Sequence, residues 1–316
     1  MRSNNLLFIL SDQHNKTGLG CYGGPGITPN LDALADQGTR FDCAYTNSPI
    51  CVPAKASLAT GRYVHEIRCW DNAMPYNGTI PSWAHQLQDQ GLIVDSIGKL
   101  HFRHGSDNNG FRNEIEPLHV VDGIGDLLGC VRENSPQRDA RSGVLQAGPG
   151  GSSYLKYDER NAANAVNWLR THAAESKPWV LFLSFVCPHP PYVGPESWYR
   201  KYRDLNLPFM SQWQPQAWPQ HPALAYLRHF FRLNQPFNEE QLLNWTAAYY
   251  SACSHLDTQI GRVIEALKQL ELMDSTRIIY TSDHGESLGA RGLSGKFSFY
   301  DESASVPLIL SGPDVP

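Results

Sequence analysis

The sequence predicts an α/β fold, with a mostly parallel, mixed central sheet carrying helices on both faces. Three observations support this. Apolar runs such as Leu6-Leu7-Phe8-Ile9-Leu10 and Trp179-Val180-Leu181-Phe182-Leu183 are continuous rather than alternating, as in strands buried on both sides. Segments between such runs space their apolar residues with a helical period. Strands and helices therefore alternate along the chain, the order of βα units that build a parallel sheet.

Each element has its own signal. Residues 5–11 form an apolar run closed by Asp12, a buried strand. Thr28-Pro29-Asn30-Leu31 opens a capped helix that continues through Ala35. Thr39 to Tyr45 reads as a strand. Pro53 suits the first turn of a helix that follows Cys51, and Gly61 suits its left-handed end. Ile80 to Gln90 reads as a helix stopped by Gly91, and Leu92 to Ile97 as the next strand. Tyr157 to Ala174 is an amphipathic helix with Ala162, Val166, Leu169 and Ala173 on one face. Trp179 to Val186 is a central strand. Asn238 to Leu270 is a long helix, with a kink expected near Ser254. Arg277 to Thr281 and Val306 to Leu310 are the last two strands. Residues 103–156 and 188–237 break the rhythm and read as irregular inserts, whose aromatics fit either the walls of a binding site or ordinary loop packing. Residues 1–316 are otherwise read as one α/β domain.

Composition narrows the function. A net charge of −5 disfavours a general nucleic-acid binder. No apolar stretch is long enough to cross a bilayer, and the first run is too short for a secretory leader. Seven cysteines, an odd count at scattered spacings, read as reduced thiols rather than a disulfide framework. A cytoplasmic location is the expectation.

Chemistry-bearing residues gather at predicted strand ends, where ligands of α/β sheets bind. Asp12 follows the first strand, and Asp283-His284 follows the strand ending at Thr281. Carboxylates and an imidazole can share one cation. Oxygen donors suit Ca²⁺, Mg²⁺ or Mn²⁺, and the imidazole shifts the choice toward Mn²⁺ or another transition ion. Lys99 and His101 alternate to one side after the strand at 92–97, a cationic pair for a tetrahedral anion. Prolines 188, 190 and 191 hold His189 rigidly, as suits a general acid. Cys51, at the positive end of a helix, has the environment that lowers a thiol pKa. Asn72, read from the residues alone, suits a turn.

Cys51-Val52-Pro53-Ala54-Lys55, followed by Thr60-Gly61-Arg62, resembles the signature of the type I sulfatases of the alkaline-phosphatase-like superfamily, C-x-P-x-R and then T-G-R. Asp12-Gln13, Gly98-Lys99-Leu100-His101, His189, Asp283-His284 and Gly295-Lys296 follow that family's order. Asp12-Gln13 and Asp283-His284 look most like its choline-sulfatase and phosphonate monoester hydrolase branch. The resemblance covers essentially the whole sequence but only the family's catalytic portion, so its small C-terminal subdomain is expected to be absent.

The resemblance implies a fold, an activity and a set of roles. Cys51 is oxidised to formylglycine by a formylglycine-generating or equivalent enzyme, and becomes the nucleophile. Asp12, Asp283, His284 and residue 51 hold one divalent cation, calcium by family habit. Gln13 is a ligand or substrate contact. Lys99 and Lys296 bind the sulfate, Lys55 and Asn72 contact the substrate, His189 protonates the leaving oxygen, and His101 takes the later proton. The implied activity is hydrolysis of a small-molecule sulfate ester. Phosphonate monoester or phosphodiester hydrolysis on the same site is the alternative. Lys55 stands where the family has arginine; lysine keeps the charge and loses the two-pronged donor. That departure motivates a third reading, a sulfatase-like chain that binds anions without catalysis.

Overall fold

The computed structural model describes residues 5–126, 136–173 and 177–316. Seven strands make its central sheet: β1 (Asn5–Asp12), β2 (Gly38–Arg40), β3 (Ile93–Lys99), β4 (Asn113–Leu118), β5 (Trp179–Pro188), β6 (Thr276–Ser282) and β7 (Leu308–Ser311). They lie side by side in the order β2-β7-β6-β1-β5-β3-β4. Pairings from β6 across to β4 are all parallel; β7 is antiparallel to β6 and to β2. The sheet is mixed and mostly parallel, as the continuous apolar runs predict. Every residue of β5 is buried, because both of its faces are covered.

Five helices frame the sheet: α1 (Pro29–Asp36), α2 (Cys51–Thr60), α3 (Trp83–Asp89), α4 (Ser153–His172) and α5 (Glu239–Gln269). Leu7, Ile9, Leu181, Leu183, Ile278 and Tyr280 meet residues of α1, α4 and α5 on one face. On the other, Leu10 and Phe182 pack with Ala56 and Ala59 of α2, and Trp83 of α3 meets Phe8 at a tilt and Phe182 edge-on. Burial of such side chains, worth about 1.5–3 kcal/mol each, holds the strand ends at a common level.

Several boundaries differ from the sequence reading. The strand expected over Thr39 to Tyr45 ends at Arg40. Among the described residues it has only β7 as partner, and Phe41 and Tyr45 turn out into solvent at 41% and 57% exposure. α2 begins at Cys51 itself, with extended Ile50 as its cap, so the cysteine lies inside the first turn rather than ahead of it. Gly61 takes the left-handed position at its end, φ 66°, as expected. α3 starts at Trp83 because Ser82 caps the His85 N–H. α4 starts four residues early, capped by Ser152; Ala174, its expected last residue, lies outside the described residues. α5 runs unbroken through Ser254, whose hydroxyl donates to the Ile27 carbonyl rather than disturbing its own helix.

The two stretches read as irregular carry regular elements. β4 lies in the first, as a parallel edge strand anchored by Asp95, which accepts from the Arg112 side chain and the Asn113 N–H. Its polar Asn113-Glu114-Ile115-Glu116-Pro117 has no strand-like apolar pattern, which is tolerated only at an edge. Helix Ala140–Leu145 follows it, and helices Glu196–Arg203 and Pro222–Phe230 lie in the second stretch. All six described cysteines are free thiols. Among the described residues no helix is long and apolar enough to cross a membrane.

Candidate active site

The parallel strands deliver their carboxyl ends to one edge of the sheet. β1 ends on Asp12, β6 runs into Asp283-His284, β3 ends on Lys99, and β5 runs into His189. The first turn of α2 points at the same place. Ile50 has no capping side chain, so Asn72 supplies one from outside: its Oδ1 accepts the Val52 N–H at 3.1 Å. Asn72 therefore orients the helix that carries Cys51 and also lines the cavity above it.

Ligand atoms of Asp12, Cys51, Asp283 and His284 all lie within 4.8 Å of one another, and all four residues are buried. His284 Nε2 is 3.3 Å from Cys51 Sγ and 3.4 Å from Asp283 Oδ2. Its Nδ1 faces the Gly285 carbonyl at 3.0 Å, so the proton sits there and Nε2 keeps its lone pair for the cluster. Burial pushes His284 down to about 4 despite Asp283 beside it, which keeps the ring neutral, the form that ligates. Two carboxylates, a neutral imidazole and residue 51 form a compact donor set that fits a divalent cation.

Three buried ammonium groups surround this cluster. Lys55 lies one turn after Cys51 on α2, and its Nζ donates to Asp12 Oδ2 at 2.7 Å and to Asp283 Oδ2. Lys99 Nζ reaches the same Asp12 oxygen at 2.7 Å. Lys296 Nζ donates to Cys51 Sγ at 2.8 Å and to Gln13 Oε1 at 2.7 Å. Burial alone would raise the Asp12 pKa; Lys55 and Lys99 overcome it and hold Asp12 well below the usual carboxylate range. Burial and Asp12 push the Cys51 thiol up, but Lys296, His189 and Lys99 pull it below its ordinary value.

His101 and His189 line the same cavity as Cys51. His189 Nδ1 donates to the Pro190 carbonyl at 2.7 Å, leaving Nε2 for the cavity. Burial, then Lys99 and Lys296, hold its pKa below the ordinary value. His101 is held well below by burial, then Lys99 and Lys55, and its buried Nδ1 has no partner among the described residues. Gln13, His101 and Phe297 have left-handed backbones, φ 69°, 56° and 77°. Such strain costs roughly 1–3 kcal/mol per residue and collects where geometry serves function.

A cavity of about 360 Å³ opens over Cys51, Lys296, His101 and His189. A larger one, about 560 Å³, lies behind α2 against Phe8, Tyr45 and Tyr63. That second space borders Asp283 but not Cys51, Lys296 or any histidine, whereas Cys51, His101, His189 and Lys296 gather at the smaller cavity.

The sequence profile of one family, described as Sulfatase, matches residues 4–316. The chain belongs to the sulfatase family. It is 31% identical over 337 positions to the choline-sulfatase of Rhizobium meliloti, covering 98% of this chain and 63% of that protein. Arylsulfatase K of Bos taurus is 30% identical over 333 positions, 98% of this chain and 58% of its own length. The crystal structure of a phosphonate monoester hydrolase from Agrobacterium radiobacter superposes with a TM-score of 0.77 at 26% identity, over 98% of this chain and 68% of that one. The chain thus spans less than two thirds of these curated sulfatases.

Within this family member, the structure brings every sequence-predicted residue to one site, yet gives some of them unexpected neighbours. Lys55 faces Asp12 and Asp283 and does not line the cavity. Gln13 bridges Lys296 and Glu286, using both ends of its amide. Glu286, fully buried, lies two residues after His284 and carries no role in the sequence reading. It accepts from Gln13 Nε2, Tyr192 Oη and the Leu288 and Gly295 N–H groups, which fixes the loop carrying Lys296. Asp158 of α4 was missed: its carboxylate accepts the Val186 and Cys187 N–H groups at 2.9 and 2.7 Å, below His189. An acidic residue on the apolar face of a helix was the available signal.

Proposed function

We propose that residues 1–316 form one catalytic domain that hydrolyses sulfate esters, with a formylglycine made from Cys51 as nucleophile. The supporting observation is the grouping of Cys51, Asp12, Asp283 and His284 within 4.8 Å, with Lys296 Nζ 2.8 Å from the sulfur. Asp12, Asp283 and His284, with residue 51, would hold one divalent cation, Ca²⁺ by family resemblance and Mn²⁺ or Mg²⁺ by donor chemistry. Such an ion supplies Lewis-acid polarisation and lowers the pKa of an attacking hydroxyl.

The chain's own residues do the rest. Lys296, touching residue 51, stabilises its ionised form and stands where the ester's charge develops. Lys99 neutralises Asp12 and the anion together. A bound sulfate ester offsets both ammonium groups, raises the proton affinity of His189 Nε2, and so equips it to protonate the departing alcohol. Neutral His101 offers a lone pair to the hydroxyl proton whose loss releases sulfate. Free thiols suit a reducing compartment such as the cytoplasm, where a maturation enzyme would meet the new chain.

Co-expression with a formylglycine-generating enzyme tests this. Mature protein should weigh about 18 Da less than the thiol form, by atom counting of the aldehyde nucleophile. It should turn over an aryl sulfate, and Cys51→Ala should not; full activity in that variant overturns the reading. A thiol left unconverted, with tight sulfate binding, is the outcome expected of a non-catalytic anion binder. Phosphonate monoester or phosphodiester hydrolysis is the second reading, favoured by the likeness to the phosphonate monoester hydrolase. Parallel turnover of the three ester classes separates them.

A further inference from the structure

The turn that carries Asp12 and Gln13 out of β1 is held by α5, a helix that lends no side chain to the cavity over Cys51. Gln13 sits in the left-handed region, φ 69°, and a non-glycine residue keeps that backbone only while its surroundings enforce it. Its side chain receives Lys296 Nζ on Oε1 at 2.7 Å and gives Nε2 to Glu286. Its main chain is fixed on both sides. The Gln13 N–H donates to Asp283 Oδ1 at 3.0 Å, and the Gln13 carbonyl accepts from Tyr249 Oη at 2.8 Å. The same Tyr249 oxygen accepts the Asn15 N–H at 2.7 Å. One fully buried phenol on α5 thus closes the turn, bridging a carbonyl to the N–H two residues on. Trp245, one turn earlier on α5, meets Tyr192 edge-on with ring centres 5.2 Å apart, and Tyr192 Oη donates to Glu286 Oε2 at 2.8 Å. The helix therefore grips Gln13 twice, by its carbonyl directly and by its amide through Tyr192 and Glu286.

We propose that Tyr249 is a positioning residue for the Lys296 ammonium, acting through Gln13. This rests on the ester-hydrolase reading above. An ammonium has three donors. Gln13 Oε1 takes one and Cys51 Sγ faces another at 2.8 Å, so the direction of the Gln13 amide sets where the charge stands relative to residue 51. Without the phenol, the buried Gln13 carbonyl and Asn15 N–H lose their shared partner. Turning the peptide to find others swings the amide off Lys296. A displacement of about 1 Å at such a group costs up to roughly 100-fold in rate.

A double-mutant cycle on mature protein tests this. Tyr249→Phe should lower kcat/KM for an aryl sulfate by about tenfold, inside the roughly 100-fold loss expected of Lys296→Met. In the Lys296→Met background the same change should cost less than about twofold, because the group it positions is gone. Tyr202→Phe is the control. Its buried hydroxyl meets the Ile27 N–H and Ser254 Oγ, each at 2.6 Å, and does not line the cavity. It should lower Tm as Tyr249→Phe does and leave kcat/KM unchanged. Full activity in Tyr249→Phe, the same loss with and without Lys296, or an equal loss in Tyr202→Phe overturns the inference and leaves the hydrolase reading standing. Should Tyr249→Phe not fold, Gln13→Ala removes the link and keeps the phenol; it should reproduce the tenfold loss, and full activity there overturns the inference. Turnover of a phosphonate monoester or phosphodiester alone overturns the sulfate reading, and the cycle run on that ester still decides Tyr249. If no ester is turned over, the hydrolase reading falls, and calorimetry of inorganic sulfate on the same four proteins carries the cycle. Tyr249→Phe should then weaken sulfate only where Lys296 is present; unchanged affinity, or no sulfate binding by the parent, overturns the inference as well.

Discussion

Lys55→Met removes the ammonium group that joins the two carboxylates of the candidate metal cluster. Lys55 Nζ lies 2.7 Å from Asp12 Oδ2 and also contacts Asp283 Oδ2, and its side chain is 3% exposed. Breaking a buried pair by deleting one partner costs about 3–5 kcal/mol, because the other charge stays buried. Here the residue left behind is partly compensated. Asp12 keeps Lys99 at 2.7 Å, and Asp283 keeps the Gln13 and His284 N–H groups at 3.0 and 2.9 Å. The low end applies, about 3 kcal/mol. At roughly 2 °C per kcal/mol for a chain this large, Tm in chelator should fall by about 6 °C. A divalent ion at a hundred times its Kd adds about 2.7 kcal/mol of stability, nearly the same amount. It neutralises the same carboxylates that the lysine holds. Calorimetry with chelator and with excess Ca²⁺ or Mn²⁺ should therefore show a large deficit in the first case and a small one in the second, with a greater ion-induced shift in the variant than in the parent. Equal Tm values in chelator, or equal ion-induced shifts, would refute the argument that Lys55 is the internal counter-ion of the metal site.

Other expectations follow from single contacts. Burial raises the Asp158 pKa to about 6 from 3.8, so the folded state binds its proton more tightly. That stabilisation is full below the unfolded value and is lost as pH rises through about 6, a span of two units or about 3 kcal/mol. Asp158→Asn should flatten this fall in urea melts between pH 4 and 7; an unchanged profile counts against it. Asn72→Ala removes the cap on Val52 and should cost about 1 kcal/mol in a thermal melt. Glu286→Gln turns an amide toward groups that all donate, so stability should drop by about 1–3 kcal/mol and kcat should fall as Lys296 loses its support. Lys296→Met should lower kcat by about 100-fold or more with little change in fold, read from kinetics and circular dichroism.

Much of the site was legible because its residues end strongly apolar strands. A run such as Leu6 to Leu10 can only be buried, and Asp12 after it can only emerge at the sheet's edge. The same holds for Lys99, His189 and Asp283. Polar and aromatic segments gave no such signal. β4 has no apolar pattern because its hydrogen bonds to β3 and the Asp95 anchor hold it there. Phe231, which caps helix Pro222–Phe230, meets Phe297, far along the chain, only in the folded molecule.

Local sequence determined the strongly apolar strands and the amphipathic helices, and that acids, imidazoles and ammonium groups would follow those strands, because the burial of such segments follows from their apolar spacing. Tertiary structure decided which charge faces which. Lys55 turned to two carboxylates, Gln13 joined Lys296 to Glu286, and Asn72 capped the helix of Cys51. Those pairings depend on distances of a few ångströms between residues as many as 283 apart, and spacing along a chain carries no record of them.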